Sequence, residues 1–279
     1  MPPTYKATES TTENQAERRD FVTLGLPDVP PKGDLASMEH PLFALRAGDK
    51  RVRNYERNGY TVTVKPGPDG CATIHDKDLW LYCASQLVEA KNRGAEISRT
   101  VRFTMHDFLK TTYRDTSGQA YKRAGEMLAR LTGTRVETNI ETGGRRIREF
   151  WGLVESAKII ESPDDGRMAS MEVTLPEWLF GAINSGEILT LACSYYRVRK
   201  PIDRRIYELA RKHCGRQPSW RVSLAVLYQK SGSTDALRNF RAAIRSLAES
   251  GALPDFLVAF DNNRDMVTFC PNSSNSLSV

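Results

Sequence analysis

The sequence predicts an α+β chain built as two tandem winged helix-turn-helix domains related by internal duplication, and three observations carry that expectation. The first is a repeat at an offset of 119 residues. VRFTMHDFLKTT from Val101 lines up with WRVSLAVLYQKS from Trp220, pairing Arg102 with Arg221, Phe103 with Val222, Thr104 with Ser223, Met105 with Leu224 and Phe108 with Leu227. The second is the order of elements: each copy reads as leading helix, short strand, helix, turn, helix and β-hairpin, the order of a winged helix. The third is charge, because the third helix of each copy carries an apolar stripe with cations outside it and stands directly before the hairpin.

Residues 1–35 are rich in Thr, Glu, Pro and Asp and close on PDVPPKGD, too polar to offset their ordering entropy, so a flexible tail is expected. YTVTVK, Tyr60 to Lys65, alternates as a strand and GPDG at 67–70 is a turn signal, which together suggest a small sheet leading into the first helix. That helix begins with Asp76 as N-cap, carries Leu79, Tyr82, Leu87 and Ala90 at helical spacing, and stops at Gly94. After the strand and N-cap of VRFT, residues 117–133 form the third helix, with Tyr121, Ala124, Leu128 and Leu131 facing inward. Its wing is expected from Thr134 to Ile140 and from Arg146 to Val154 around ETGG, where Gly143 and Gly144 can take the positive φ of a tight hairpin.

The second copy begins with a helix over 201–213 and has its third helix over 234–249, with Leu237, Phe240, Ile244 and Leu247 turned to the core. In unshifted register Tyr121 falls on Phe240, Lys122 on Arg241 and Leu128 on Leu247. The second wing, DFLVAF then MVTF, turns at DNNRD through Asn262 and Asn263. The expected organisation is therefore a tail over 1–35, a first winged-helix domain with N-terminal strands over 36–190, a second over 191–271, and a C-terminal tail over 272–279.

With 40 Lys and Arg against 34 Asp and Glu, the 279-residue chain has a formal charge of +6, which suits a polyanionic partner. Its five cysteines are scattered without a CxxC pair, so reduced thiols rather than disulfides or a zinc site are expected. No apolar run reaches membrane-spanning length and the polar start lacks a signal peptide's hydrophobic stretch, which points to a soluble, cytoplasmic protein.

The cations on the third helices and wings are the candidate binding residues. In the second copy Arg238, Arg241 and Arg245 stand three and four apart, where guanidinium groups can meet phosphates or a guanine edge, and Asn239 can read adenine. In the first copy Lys122, Arg123 and Arg130 lie outside the apolar stripe, with Gln119 beside them. Arg145, Arg146 and Arg148 on the first wing, with Lys230, Ser231 and Ser233 in the second helix-turn-helix, would grip the DNA backbone. Arginine is also a good helix former on a solvated face, and charged edges discourage sheet aggregation. Recurrence of the arrangement in both copies favours double-stranded DNA as the partner. Lys200, Arg204 and Arg205 fit phosphate contact or interdomain ion pairs equally well. Gly125, inside the third helix, marks either a close backbone approach or nothing.

Catalytic signatures are missing from the sequence. There is no GxxxxGK[ST] loop, and His40, His75, His106 and His213 stand far apart without a metal-binding spacing. Tyr195 and Tyr196 could suggest a strand-nicking nucleophile, but without a histidine cluster aromatic packing is the better reading. No enzymatic activity, cofactor or metal is expected.

The stretches MEHPLFAL (38–45), DKDLWLYCASQL (76–87), VRFTMHDFLKTT (101–112), RLTGTRVETNIETGG (130–144), LPEWLF (175–180), YYRVRKPIDRRIYELARKHCG (195–215) and KSGS (230–233) resemble the plasmid replication initiator protein A family from about residue 36 to 270. The resemblance implies a place among plasmid Rep initiators with two winged-helix domains. Such proteins bind directly repeated iterons at an origin, promote local melting and recruit the host initiator and replicative helicase. Members of that wider group often repress their own promoter as dimers and initiate as monomers. A winged-helix transcriptional repressor and a relaxase-like nicking enzyme are the rival readings.

Overall fold

A computed structural model of the chain describes residues 29–272, except 58, 140, 143, 144, 147 and 163–167. The tail expected to reach residue 35 is corrected at its described end, since Lys32–Asp34 form a strand, β1. Asp34 then caps the short helix α1 (Leu35–Glu39), its carboxylate accepting the Ser37 amide at 2.7 Å. β2 (Arg53–Arg57) and β3 (Tyr60–Lys65) pair as an antiparallel hairpin. Helix α2 (Asp78–Asn92) follows, with Lys77 rather than Asp76 at its N-cap. Asp76 lies in the preceding turn, where its carboxylate accepts the Thr73 amide at 2.8 Å. The inward residues Leu79, Tyr82, Leu87 and Ala90 are buried as expected, but so are Trp80, Leu81, Ser85 and Gln86. The helix is enclosed because both halves of the molecule pack on it.

The first unit continues through β4 (Thr100–Phe103), α3 (Met105–Thr111) and α4 (Gly118–Gly133). Strands β5 (Arg135–Thr138), β6 (Glu141–Thr142), β7 (Arg145–Arg146) and β8 (Glu149–Gly152) follow. The expected wing is therefore made of strands, but they are not the wing. β5 lies between β3 and β8 in a four-stranded sheet ordered β2-β3-β5-β8, while β4 takes its partner from further along the chain. β9 (Ser156–Glu161) and β10 (Met168–Thr174) form the hairpin that completes β4, in the order β4-β10-β9. The strands around ETGG are thus an insertion: β5 and β8 join the N-terminal hairpin, while β6 and β7 pair with each other. Helix α5 (Glu177–Ser185) and β11 (Ile188–Thr190) close the unit, β11 pairing with β1.

A 3-10 turn at Cys193–Arg197 leads to the second unit, α6 (Pro201–Cys214), β12 (Trp220–Ser223), α7 (Leu224–Ser231), α8 (Leu237–Ser250), β13 (Phe256–Asp261) and β14 (Met266–Pro271). Its sheet order, β12-β14-β13, repeats that of the first unit, so two tandem winged helices are present. Thr104 and Ser223 both cap the following helix by accepting the amide three residues on. Phe103 faces Met171 where Val222 faces Val267, and Phe108 and Leu227 are both fully buried, a contribution of about 1.5–3 kcal/mol each. In the third helices the 119-residue register fails. Ala124, Leu128 and Leu131 share the buried spacing of Phe240, Ile244 and Leu247, an offset of 116, whereas Tyr121 is only half-buried. Leu237, expected inside, is 38% exposed because it occupies the first turn of α8.

Two apolar cores result, and they interlock. Met38 and Leu81, from the first half of the sequence, belong to the core of the second unit with Tyr195, Tyr207, Phe240 and Phe269. Between the cores runs a buried ionic seam. Arg204 of α6 pairs with Asp78 of α2, whose other oxygen takes Arg114 at 2.8 Å. Lys77 pairs with Glu208 at 2.7 Å, both side chains 1% exposed, and the Tyr195 hydroxyl donates to the same carboxylate oxygen. Arg205 donates to the carbonyls of Ser37, Met38, Glu39 and Lys230. Arg204 and Arg205 are therefore joint residues, while Lys200 remains exposed.

Candidate nucleic-acid interface

On α8 the apolar spacing turns Phe240, Ile244 and Leu247 inward and leaves the arginines outside. Arg238 and Asn239, in the first turn, are exposed and have no ion pair among the described residues. Arg241 and Arg245 reach instead to the wing's turn. The Arg241 guanidinium meets Asp265 at 2.6 and 3.2 Å, and Arg245 donates to Asn262 Oδ1 at 2.8 Å. The stripe therefore has two roles: its first turn faces solvent, and its later arginines fasten helix to wing while remaining partly accessible.

The same division appears on α4. Gln119, Lys122 and Arg123 are exposed along its first half. Arg130, near the end, is instead bidentate to Asp76, both contacts at 2.8 Å. Its placement in the interface is corrected: it holds the helix to the turn before α2. Among the described residues outside its own helix, nothing comes within 4 Å of the space a side chain at Gly125 would fill, so none of their backbone approaches that glycine.

The expected backbone grip is largely elsewhere. Lys230 is 8% exposed, its ammonium held by Glu39 and lying 3.1 Å from the His213 ring. Ser231 is fully buried, donating to the Tyr228 carbonyl at 2.7 Å and accepting the Ser233 amide at 3.1 Å. Ser233 in turn accepts the Asp235 amide at 3.3 Å. These three residues build the α7–α8 turn rather than reach for a phosphate, because that turn packs against the first half of the chain. A side-chain carbon at Gly232, whose φ is +69°, would stand 2.5 Å from Pro41 and 3.0 Å from the Tyr55 hydroxyl. Arg46 pairs with Asp235 across the same contact.

Arg148 stands just before β8 of the inserted sheet, pairs with Glu137 of β5 at 2.7 Å through Nε and lies 5.2 Å over the Phe150 ring. Glu137 also receives Lys65 at 3.1 Å. Arg145 and Arg146 form β7, opposite Thr142 and Glu141 of β6. All three arginines sit off the wing proper. Sequence reasoning missed the true first wing although SPDDG at 162–166 is a strong turn signal between two strand patterns. It also passed over Arg197 and Arg199, which approach Tyr113 at the end of α3: the Arg197 guanidinium lies 4.2 Å over its ring, and Arg199 donates to its carbonyl at 3.3 Å.

The tyrosines considered as nucleophiles lie in the second core, 0% and 2% exposed, and burial pushes both phenols well above their ordinary pKa. Among the described residues no helix is long and apolar enough to cross a membrane.

The family model described as Replication initiator protein A matches residues 32–258. A protein of Wigglesworthia glossinidia brevipalpis, whose name places it among replication proteins, is 39% identical over 241 residues, covering 85% of this chain and 88% of its own. Two crystal structures share the fold. One, of domains 2 and 3 of RctB, matches with a TM-score of 0.61 and 11% identity, over 89% of this chain and 99% of that one. A second structure of RctB domains 2–3 gives 0.54 and 11%, over 82% and 94%.

Proposed function

Because the chain belongs to the replication initiator protein A family, we propose that it initiates plasmid replication by binding repeated duplex sites at the origin through α4 and α8. The observation that carries this reading is the pair of winged helices, held together by buried ion pairs, each leaving the first half of its third helix polar and uncovered. Recognition helices of this class contact base edges with their N-terminal residues, and here Gln119, Lys122 and Arg123 match Arg238 and Asn239 in that respect. Rigid connection would set the two helices on major grooves about 34 Å apart, one helical turn, and coupling both contacts raises affinity through effective concentration.

Bound to iterons in the cytoplasm, the protein would favour local melting and recruit the host initiator and replicative helicase, and a homodimer would repress its own promoter. It acts by binding rather than catalysis, a reading supported by the burial of Tyr195 and Tyr196. The test is a gel-shift comparison of the full chain on duplex DNA flanking its gene and on random duplex, with plasmid maintenance after deleting the gene. Selective binding at repeated sites and loss of replication are expected. Equal binding to both duplexes, or replication that persists, contradicts the proposal.

A further inference from the structure

We propose that the seam between the units is itself a phosphate-binding saddle, centred on Arg197, Arg199 and Arg123, which holds the DNA backbone between the two recognition helices. The inference rests on the reading of α4 and α8 as DNA-binding helices. It adds Arg197 and Arg199, from the connection between the units, to the cations that the two helices supply.

The saddle is a cleft of about 540 Å³ where the end of α3, the first half of α4 and the inter-unit connection meet; Tyr113, Arg123 and Arg199 line it, and Arg197 stands at its edge over the Tyr113 ring. Its cations outnumber its acids. Of the two carboxylates on its walls, Asp78 is already shared between Arg204 and Arg114. Asp115 lies near Arg123 but spends its oxygens on the amide and hydroxyl of Ser117. Arg123, Arg197 and Arg199 are exposed and have no carboxylate within ion-pair distance among the described residues. With Asp78 and Asp115 already engaged elsewhere, these exposed guanidinium groups keep donors free for an oxyanion, whose several acceptor oxygens can take bidentate hydrogen bonds.

The arginines are also held in position. Tyr113 adopts φ +53°, a left-handed backbone unusual for a bulky residue, and is 42% exposed. Its ring lies under Arg197 and its carbonyl takes Arg199, so one residue at the end of α3 fixes two side chains from the connection. Arg123 ties the cleft to the interface, because it lines the saddle and also lies on the exposed face of α4. A duplex seated on α4 would bring its backbone past this point before reaching the second unit. That continuity favours a phosphodiester backbone over an acidic peptide.

The test compares the full chain with Arg197→Ala/Arg199→Ala and Arg197→Lys/Arg199→Lys, measuring affinity for origin and random duplex DNA across salt concentrations. Each phosphate contact contributes about 0.9 to the slope of log K against log salt. The alanine variant is expected to lose about 1.8 from that slope, weakening origin and random duplex by similar factors, while the lysine variant retains it. Ethylation interference should disappear only at phosphates between the two half-sites. An unchanged slope and affinity in the alanine variant, with Arg238→Ala still weakening binding, overturns the saddle and leaves the helices' role intact. Failure of the wild-type chain to bind duplex DNA at any salt concentration overturns both.

Discussion

Arg204 of α6 and Asp78 of α2 form an ion pair across the boundary between the two winged helices, with side chains 2% and 1% exposed. The aspartate's second oxygen takes Arg114, so one carboxylate ties the leading helix of the second unit to the end of α3 in the first. Removing one partner from such a pair leaves an uncompensated buried charge, at a cost of about 3–5 kcal/mol. Asp78→Ala should therefore lower stability by that order in urea unfolding. A loss below 1 kcal/mol would show that the seam is dispensable.

Arg241 and Asp265 should behave as one unit in DNA binding. Their contact fixes the wing's turn against α8, so Arg241→Ala and Asp265→Ala are expected to be non-additive in a double-mutant cycle. Arg238→Ala, with no ion pair to lose among the described residues, should cost about 1–3 kcal/mol on origin sites and little on random duplex if it reads a base. Binding titrations on both DNAs separate the two roles, and strict additivity of Arg241→Ala with Asp265→Ala would show that the contact does not position the wing.

Stability should fall as pH drops from 6.5 towards 4. Burial lowers His40 from 6.5 to about 4, reinforced by Lys212, Arg205 and Lys230 and opposed by Glu39. His75 is lowered in the same direction, chiefly by burial. Between these values the unfolded chain binds protons that the folded chain refuses, so stability rises with pH across the window, by at most about 1.4 kcal/mol per unit per histidine. Glu39 adds its effect at lower pH. Burial alone would raise it, but hydrogen bonds from His213, Lys230 and Lys212 hold it well below the usual carboxylate range, a contribution lost only in acid. Urea midpoints measured against pH should show a shallower slope in His40→Gln; an identical slope would exclude His40 as a source.

Two glycine substitutions should have opposite signs. Gly125 sits inside α4 with open space around it, so Gly125→Ala should stabilise the protein by about 0.5–1 kcal/mol. At Gly232 the left-handed backbone and the approach of Pro41 leave no room, so Gly232→Ala should destabilise by about 1–3 kcal/mol. Thermal unfolding of the two variants measures both, and equal shifts would contradict the packing at the α7–α8 turn.

The duplication was legible because an N-cap and the apolar residues beyond it recur together, as Thr104 with Met105 and Phe108, then Ser223 with Leu224 and Leu227. The first wing was not, because the nearest glycine turn after α4 belongs to an insertion whose strands find their partner in β3, a long-range pairing that local turn signals do not encode. Charge was legible as a surface stripe only in the first half of α4 and the first turn of α8. Lys77, Asp78, Glu208 and Lys230 read as surface residues in isolation, since charged side chains are rarely buried unless paired, and their partners lie up to 191 residues apart; Arg204 and Arg205 fitted interdomain ion pairs as well as phosphate contact, and the joint between the units is where they stand. Arg130 was misplaced for the same reason: its partner Asp76 precedes another helix.

The central claim, that one rigid pair of winged helices reads adjacent turns of the same duplex, is tested most directly by methylation interference with the full chain on DNA flanking its gene. Two clusters of contacted guanines, on one face and about 10–10.5 base pairs apart, are expected, one lost with Lys122→Ala/Arg123→Ala and the other with Arg238→Ala/Asn239→Ala. A single cluster, or two whose loss does not divide between these variants, would contradict the account.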